Sequence, residues 1–135
     1  MVESKKLNGC VVREGWIMKK FVDLIVWQKA HGFVLEIYKL TLKFPSDEKF
    51  GLTQQIRRSA VSVAANIAEG SKRKTDRDYS HFLNISEGSL EEVKYYLILS
   101  RDLKYISKDA HDRLFVLAEE IGKLLQGFIK KLYET

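Results

Sequence analysis

The chain has 135 residues, of which 23 are Lys or Arg and 18 are Asp or Glu, so its net charge is +5 at neutral pH. This length is typical of one domain that can bury a hydrophobic core without disulfides or metal ions. The single cysteine, Cys10, excludes an intramolecular disulfide and favours a reducing, cytoplasmic location. Its apolar runs are too short to span a membrane, and its first twenty residues lack the apolar segment of a signal peptide.

The positive charge is concentrated in the middle of the chain. Residues 49–77 contain seven basic and two acidic residues, whereas residues 23–48 and 78–135 are slightly acidic. A basic block of this kind attracts polyanions and predicts salt-dependent binding. The same charges are also compatible with a solvated helix end and loop.

Residues 1–19 show no hydrophobic periodicity and predict a flexible N-terminal arm, followed by a single domain over residues 20–135. A first helix is expected from Asp23 to about Phe44, where Pro45 ends it. It carries two apolar stripes. We expect one to face the core: Leu24, Trp27, His31, Val34, Leu35, Tyr38 and Leu42. We assign the other to a partner surface: Val26, Ala30, Phe33, Ile37 and Phe44.

A second helix is expected over roughly residues 48–69, with Gly70 as the glycine that follows its end. Its apolar face consists of Leu52, Ile56, Ala60, Val63 and Ile67. A second, polar stripe consists of Gln55, Ser59, Ser62, Asn66 and Glu69. The remaining arc is small and uncharged, which predicts that another subunit covers this helix.

Two further helices complete the pattern. Thr75 and Asp78 have the spacing of a capping arrangement for a third helix, which ends near Leu103. Ser107 caps a fourth helix with one regular apolar stripe: Leu114, Leu117, Ala118, Ile121, Leu124, Leu125, Phe128, Ile129 and Leu132. Because the connections are short, the predicted fold is an all-α, up-down-up-down four-helix bundle. Gly88 and the serines of helix three are small enough to let a neighbouring helix approach closely.

The segment QIRRSAVSVAANIAEGSKR, with Asn66 to Gly70, Gly88-Ser89-Leu90 and Glu92, resembles a family of four-helix-bundle proteins encoded in intervening sequences of bacterial large-subunit ribosomal RNA genes. That family is similar to the accessory variability proteins of diversity-generating retroelements, which are basic homopentamers that bind nucleic acid and a reverse transcriptase. The resemblance implies a ring-forming homo-oligomer, most simply a pentamer, with no enzymatic activity and no cofactor. Since Met18 resembles the usual start of the family, residues 1–17 are expected to be dispensable for folding.

The polar stripe of helix two is interpreted as structural. A buried polar group without a partner costs about 1–3 kcal/mol, so Asn66 and Glu69 should bond to Ser86, Ser89 or backbone groups of a neighbour. The stripe would then set the register of helix two against helix three or a second subunit. A binding site is the alternative. Glu69 is unfavourably placed near a helix C-terminus and should be compensated by Arg57, Arg58 or Arg73 of the same or another chain. The predicted structural polar network is Gln55, Ser59, Ser62, Asn66, Glu69, Ser89 and Glu92.

The best functional candidates are basic, since the guanidinium of arginine binds phosphate through two parallel hydrogen bonds. The predicted nucleic-acid-binding set is Arg57, Arg58, Lys72, Arg73, Lys74 and Arg77. The function predicted from it is non-catalytic binding of RNA or DNA through helix two and the loop that follows. The first alternative is a scaffold that docks a nucleic-acid enzyme such as a reverse transcriptase.

A remote alternative is a ribonuclease of the HEPN type. Its motif places four to six residues between Arg and His, whereas three separate Arg77 from His81. No two histidines have the spacing of a helical zinc site, and His31 is assigned to the core. No metal site, phosphate-binding glycine loop or catalytic nucleophile is predicted.

Overall fold

The computed structural model describes residues 4–7, 10–13 and 20–134 of the chain. Four helices make up the domain: α1 (Ile25–Thr41), α2 (Leu52–Gly70), α3 (Asp76–Asp102) and α4 (Lys108–Tyr133). Short 3-10 turns at Phe21–Asp23 and Ser46–Glu48 precede α1 and α2. The predicted all-α class is confirmed.

The helices form an up-down-up-down bundle, and cross-helix contacts show the direction of each. Between α2 and α3, the Ser62 and Ser89 hydroxyls lie 2.8 Å apart, and the Ser86 hydroxyl donates to the Val63 carbonyl at 2.7 Å. Residue numbers therefore rise on α2 as they fall on α3. Two ion pairs between α1 and α4 show the same antiparallel order: Lys29–Glu120 and Arg113–Glu36.

The N-terminal residues differ in part from the predicted flexible arm. Two short strands, β1 (Ser4–Leu7) and β2 (Cys10–Arg13), pair antiparallel with Leu7 opposite Cys10. The signal missed in the sequence is Asn8-Gly9, the residue pair most favoured between the strands of a tight hairpin. The rest of the prediction for residues 1–19 lies outside the described residues.

The core stripe predicted for α1 is wrong in part, because only Leu24 and Val34 of it are buried and Trp27 is half-buried. The buried face is the set assigned to a partner, Val26, Ala30, Phe33 and Ile37, together with Val34 and Thr41. Within the predicted stripe, Leu35 is 58% exposed and Leu42 is 77% exposed. His31 is exposed as well and stacks in parallel on Trp27, with ring centroids 5.0 Å apart. The bundle therefore buries the face with Ala30, Phe33 and Ile37, whereas Leu35, Tyr38 and Leu42 of the other stripe are exposed.

The boundaries of α2 also differ from the prediction, because the helix begins at Leu52 rather than near residue 48. Gly70 is the last helical residue rather than the residue beyond it. A Cβ at this position would lie 2.9 Å from Phe82 Cβ and 3.0 Å from Tyr79 Cδ1. Glycine is needed here because α3 passes close to the end of α2.

Helices α3 and α4 begin where their capping residues predict. Thr75 Oγ1 accepts a hydrogen bond from the Asp78 amide at 3.0 Å, and Ser107 Oγ accepts one from the Ala110 amide at 3.1 Å. The apolar stripe of α4 is confirmed, from Leu114 to Leu132. Gly88 is exposed, and a Cβ added to it would meet no atom of a neighbouring helix of the described chain within 4 Å. The close approach predicted there therefore does not occur within one chain.

Candidate nucleic-acid interface

The six predicted nucleic-acid-binding residues lie at the two ends of α2. Arg57 and Arg58 are in its first two turns, and Arg58 precedes Gly70 by 12 residues, which corresponds to about 18 Å along a helix axis. We call these two arginines the N-terminal cluster. Beyond Gly70 lies the C-terminal cluster, which consists of Lys72, Arg73, Lys74 and Arg77. The structure therefore divides one predicted surface into two.

Arg57 is largely occupied by contacts within the protein. Its Nε donates to Thr41 Oγ1 at 2.7 Å, and its Nη2 donates to the Tyr38 carbonyl at 3.3 Å. Its guanidinium carbon also lies 4.4 Å from the centroid of the Tyr38 ring. These contacts hold the end of α1 against α2, so the main role of Arg57 is structural and any role in ligand binding is secondary.

Arg58 is exposed and borders a groove between the end of α1 and the start of α2. The groove has a volume of about 610 Å³, and three of its lining residues are cationic: Lys49, Arg57 and Arg58. Phe50, which is 80% exposed, also lines it. Lys49 and Phe50 were missed in the sequence, where they lay within the predicted range of helix two and the only signal was an aromatic residue between a lysine and a glycine.

The C-terminal cluster is exposed and occupies the loop between α2 and α3 together with the start of α3. The guanidinium carbon of Arg73 lies 5.1 Å from the centroid of the Phe82 ring. Cations in this position are also favoured by the negative end of the α2 dipole. Arg77 and His81 are both exposed on α3, and among the described residues no hydrogen bond joins them. The ribonuclease-like pair is therefore not assembled in this structure.

None of the ion pairs between described residues involves a residue of either cluster. They involve other cations, including Lys29, Lys94, Lys108 and Arg113. Among the described residues, no carboxylate forms an ion pair with a residue of the N-terminal or the C-terminal cluster. The exposed members of the two clusters, unlike Arg57, are therefore open to an external anion.

Five of the seven predicted network residues are joined by hydrogen bonds at the α2–α3 contact. The Ser59 hydroxyl donates to Glu92 Oε1 at 2.6 Å, and the Asn66 amide donates to the Ser62 carbonyl at 2.8 Å. The Ser62–Ser89 contact described above lies between them. This ladder connects the polar stripe of α2 to α3 within one chain.

The other two predicted network residues, Gln55 and Glu69, are exposed. Glu69 forms no ion pair with any described residue, so the expected compensation by an arginine of the same chain is absent. Arg58 precedes Glu69 by 11 residues in α2, or about 16 Å along the axis. The Glu69 carboxylate faces solvent instead.

A profile of the family described as 23S rRNA-intervening sequence protein matches residues 22–127. The chain belongs to this family. The match includes both basic clusters, the groove and the α2–α3 ladder.

A crystal structure with a similar fold is a protein with unknown function from the S23 ribosomal protein family of Bacteroides thetaiotaomicron VPI-5482. It is 30% identical to this chain, with a TM-score of 0.71, and the alignment covers 78% of this chain and 99% of that one. No curated protein sequence matches the chain. The comparisons therefore establish family and fold without an activity.

In this member of the intervening-sequence protein family, no group of three or more His, Cys, Asp or Glu residues within the described ranges is placed to hold a metal ion. No helix among the described residues is both long and apolar enough to cross a lipid bilayer. The chemically distinctive surfaces of the described domain are thus the two basic clusters and the groove beside one of them.

Proposed function

We propose that this protein binds RNA or DNA without catalysing a reaction, through the basic clusters at the two ends of α2. The observation that carries the proposal is the set of exposed cations outside the ion pairs of the described chain, in a segment with seven basic and two acidic residues. Lys and Arg side chains of this kind neutralise phosphates and release condensed counterions. The family description refers to an intervening sequence of 23S rRNA, so RNA is the first ligand to test.

We further propose that the active form is a homo-oligomer in which the clusters are repeated. Exposed apolar side chains on and just after α1, among them Leu35 and Leu42, support this assembly. A ring of five subunits is what the resemblance to the accessory variability proteins implies. Repetition would turn a weak footprint on each subunit into a broad positive face.

The experiment compares two variants with equal loss of charge. The test variant replaces four exposed cluster residues with glutamine: Arg58, Lys72, Arg73 and Lys74. The control replaces four exposed lysines elsewhere: Lys20, Lys123, Lys130 and Lys131. Arg57 stays unchanged in both, because its loss would remove the bonds to Thr41 and Tyr38.

Fluorescence anisotropy with a labelled RNA, at several salt concentrations, measures the effect. Each phosphate contact contributes about −0.7 to −0.9 to the slope of log affinity against log salt. We expect the test variant to bind more weakly and with a flatter slope, and the control to resemble the parent. If the folded test variant binds like the parent, the proposal is wrong and docking of an acidic partner, such as a reverse transcriptase, becomes the better hypothesis. RNA cleavage that disappears in His81→Ala would contradict a non-catalytic role.

A further inference from the structure

The groove at the start of α2 combines two aromatic side chains with three cationic ones. Phe50 projects into solvent at one side of it, with Lys49 Nζ lying 5.4 Å from the ring centroid. Tyr38, on the opposite helix, also lines the groove. Isolated exposed aromatics are common on proteins, but here two of them line the same recess together with three cations.

The cations of the groove are arranged to receive an anion. No carboxylate is among its lining residues, and Thr53, Gln54 and Ser62 add hydrogen-bonding side chains. Arg57 is held in place by Thr41, the Tyr38 carbonyl and the Tyr38 ring, while its Nη1 takes part in none of those hydrogen bonds. A guanidinium fixed in this way loses little side-chain entropy when it binds a ligand.

The volume of the groove, about 610 Å³, lies within the range of about 300–1,000 Å³ that is common for small-molecule sites. In a duplex the bases are stacked and paired, so they present only their edges to a protein. An unstacked base of a single strand can instead lie against an aromatic ring, as it does in sequence-tolerant single-strand-binding proteins.

We infer that the groove binds one unstacked nucleotide of single-stranded RNA or DNA, with its base against Phe50 and its phosphate near Lys49 and Arg58. The inference rests on the proposed function and narrows its ligand from any polyanion to a single strand. The C-terminal cluster contacts the backbone of the same strand without reading its bases. Binding is tolerant of sequence because every base has a face that can stack.

The test measures binding of a labelled oligouridine and of an RNA duplex of equal length. Phe50→Ala removes the stacking platform, and Tyr133→Ala removes an exposed aromatic residue far along α4 as a control. We expect Phe50→Ala to weaken binding of oligouridine by at least about fivefold, the effect of losing one base–aromatic stack, and to leave duplex binding and the salt slope unchanged. Tyr133→Ala should match the parent with both probes.

A second variant, Phe50→Trp, retains the ring and reports on stacking directly. Its tryptophan fluorescence, corrected for the response of the parent, should be quenched by oligouridine and not by duplex. If Phe50→Ala weakens binding of oligouridine and of duplex equally, or weakens neither, the inference is overturned while the proposed function stays in place. A change in the sedimentation coefficient of Phe50→Ala would also overturn it, because it would identify the groove as a contact with a second copy. Failure of the parent to bind either probe at low salt would refute the proposed function itself, and the inference with it.

Discussion

At the scale of single residues, Glu48 connects three parts of the bundle. Its Oε1 accepts a hydrogen bond from the Leu52 amide at 3.0 Å, at the start of α2, where Gly51 provides no side-chain cap. Its Oε2 accepts one from the Tyr105 hydroxyl at 2.8 Å, in the connection between α3 and α4. The bond from the Leu52 amide, followed by the one from Tyr105, lowers the pKa of Glu48 from its ordinary value of 4.5.

This contact predicts a specific loss of stability in acid. Because the pKa of Glu48 is lower in the folded protein, its contribution is complete above pH 4.5 and disappears as the pH falls from there through the folded-state pKa. Glu48→Gln should therefore melt at a lower temperature than the parent at pH 7, and the difference should shrink below pH 4.5. Tyr105→Phe, which removes one of the two bonds, should give a smaller difference at pH 7. Circular dichroism melts over a pH series measure this, and a difference that stays constant into acid would contradict it.

The two arginines of the N-terminal cluster differ in what they do for the fold. Removing the bonded and stacked Arg57 in Arg57→Ala should lower the free energy of unfolding by about 1–2 kcal/mol, since charged hydrogen bonds and a cation–π contact are lost. Arg58→Ala, at the neighbouring exposed position, should change it by less than about 0.5 kcal/mol. Urea denaturation of the two variants distinguishes them. Equal effects would show that the contacts of Arg57 with α1 do not contribute to stability.

At the scale of elements, substitutions at Gly70 and Gly127 distinguish the effect of packing on stability from the effect of helix propensity. Gly70→Ala forces a methyl group against Phe82 and Tyr79 at the crossing of α2 and α3, and overpacking of this kind costs about 1–3 kcal/mol. Gly127, on the exposed side of α4, has no atom within 4 Å of an added Cβ. Gly127→Ala should therefore stabilise the protein by about 0.5–1 kcal/mol through helix propensity. Chemical denaturation checks the opposite signs, and two stabilising substitutions would mean that α3 can move away from Gly70.

The contrast between α4 and α1 shows what the sequence can predict about these elements. Helix α4 has one apolar stripe, so its periodicity has a single interpretation and the predicted core from Leu114 to Leu132 is confirmed. Helix α1 has two stripes, and periodicity states that both exist without stating which one faces inward. The choice of the stripe with Leu35, Tyr38 and Leu42 was wrong, because the other helices pack against the face that carries Ala30, Phe33 and Ile37.

The candidate site shows the same limit. The shared face of Ser59, Ser62 and Asn66 follows from the spacing in α2, since residues three or four apart lie on one helix face, but their partners Glu92 and Ser89 on α3 do not follow from it. The division of the cations into two clusters is also implied by their positions at opposite ends of one helix. The groove could not be predicted from the sequence, because Tyr38 and Phe50 come together only through the packing of α1 and the turn before α2. A surface that is formed by residues from separate elements produces no periodic pattern in the sequence.

At the scale of the whole molecule, the outer stripe of α1 is a large apolar surface without a partner in the described chain. Leu35 and Leu42 are both well exposed on it. Neither of these two leucines lines the groove beside Arg58.

We therefore expect the protein to assemble through this surface. Sedimentation equilibrium should give a mass that is a multiple of the 15.7 kDa chain, and Leu35→Glu should reduce it because the charge would be buried without a partner. Val116→Glu is the matched control, since Val116 is 67% exposed but lies on α4; its mass should equal that of the parent. Both variants should retain their helical circular dichroism, because neither side chain is in the core. A parent protein that sediments as a single chain would refute the assembly, whereas loss of mass in Val116→Glu alone would place the interface on α4.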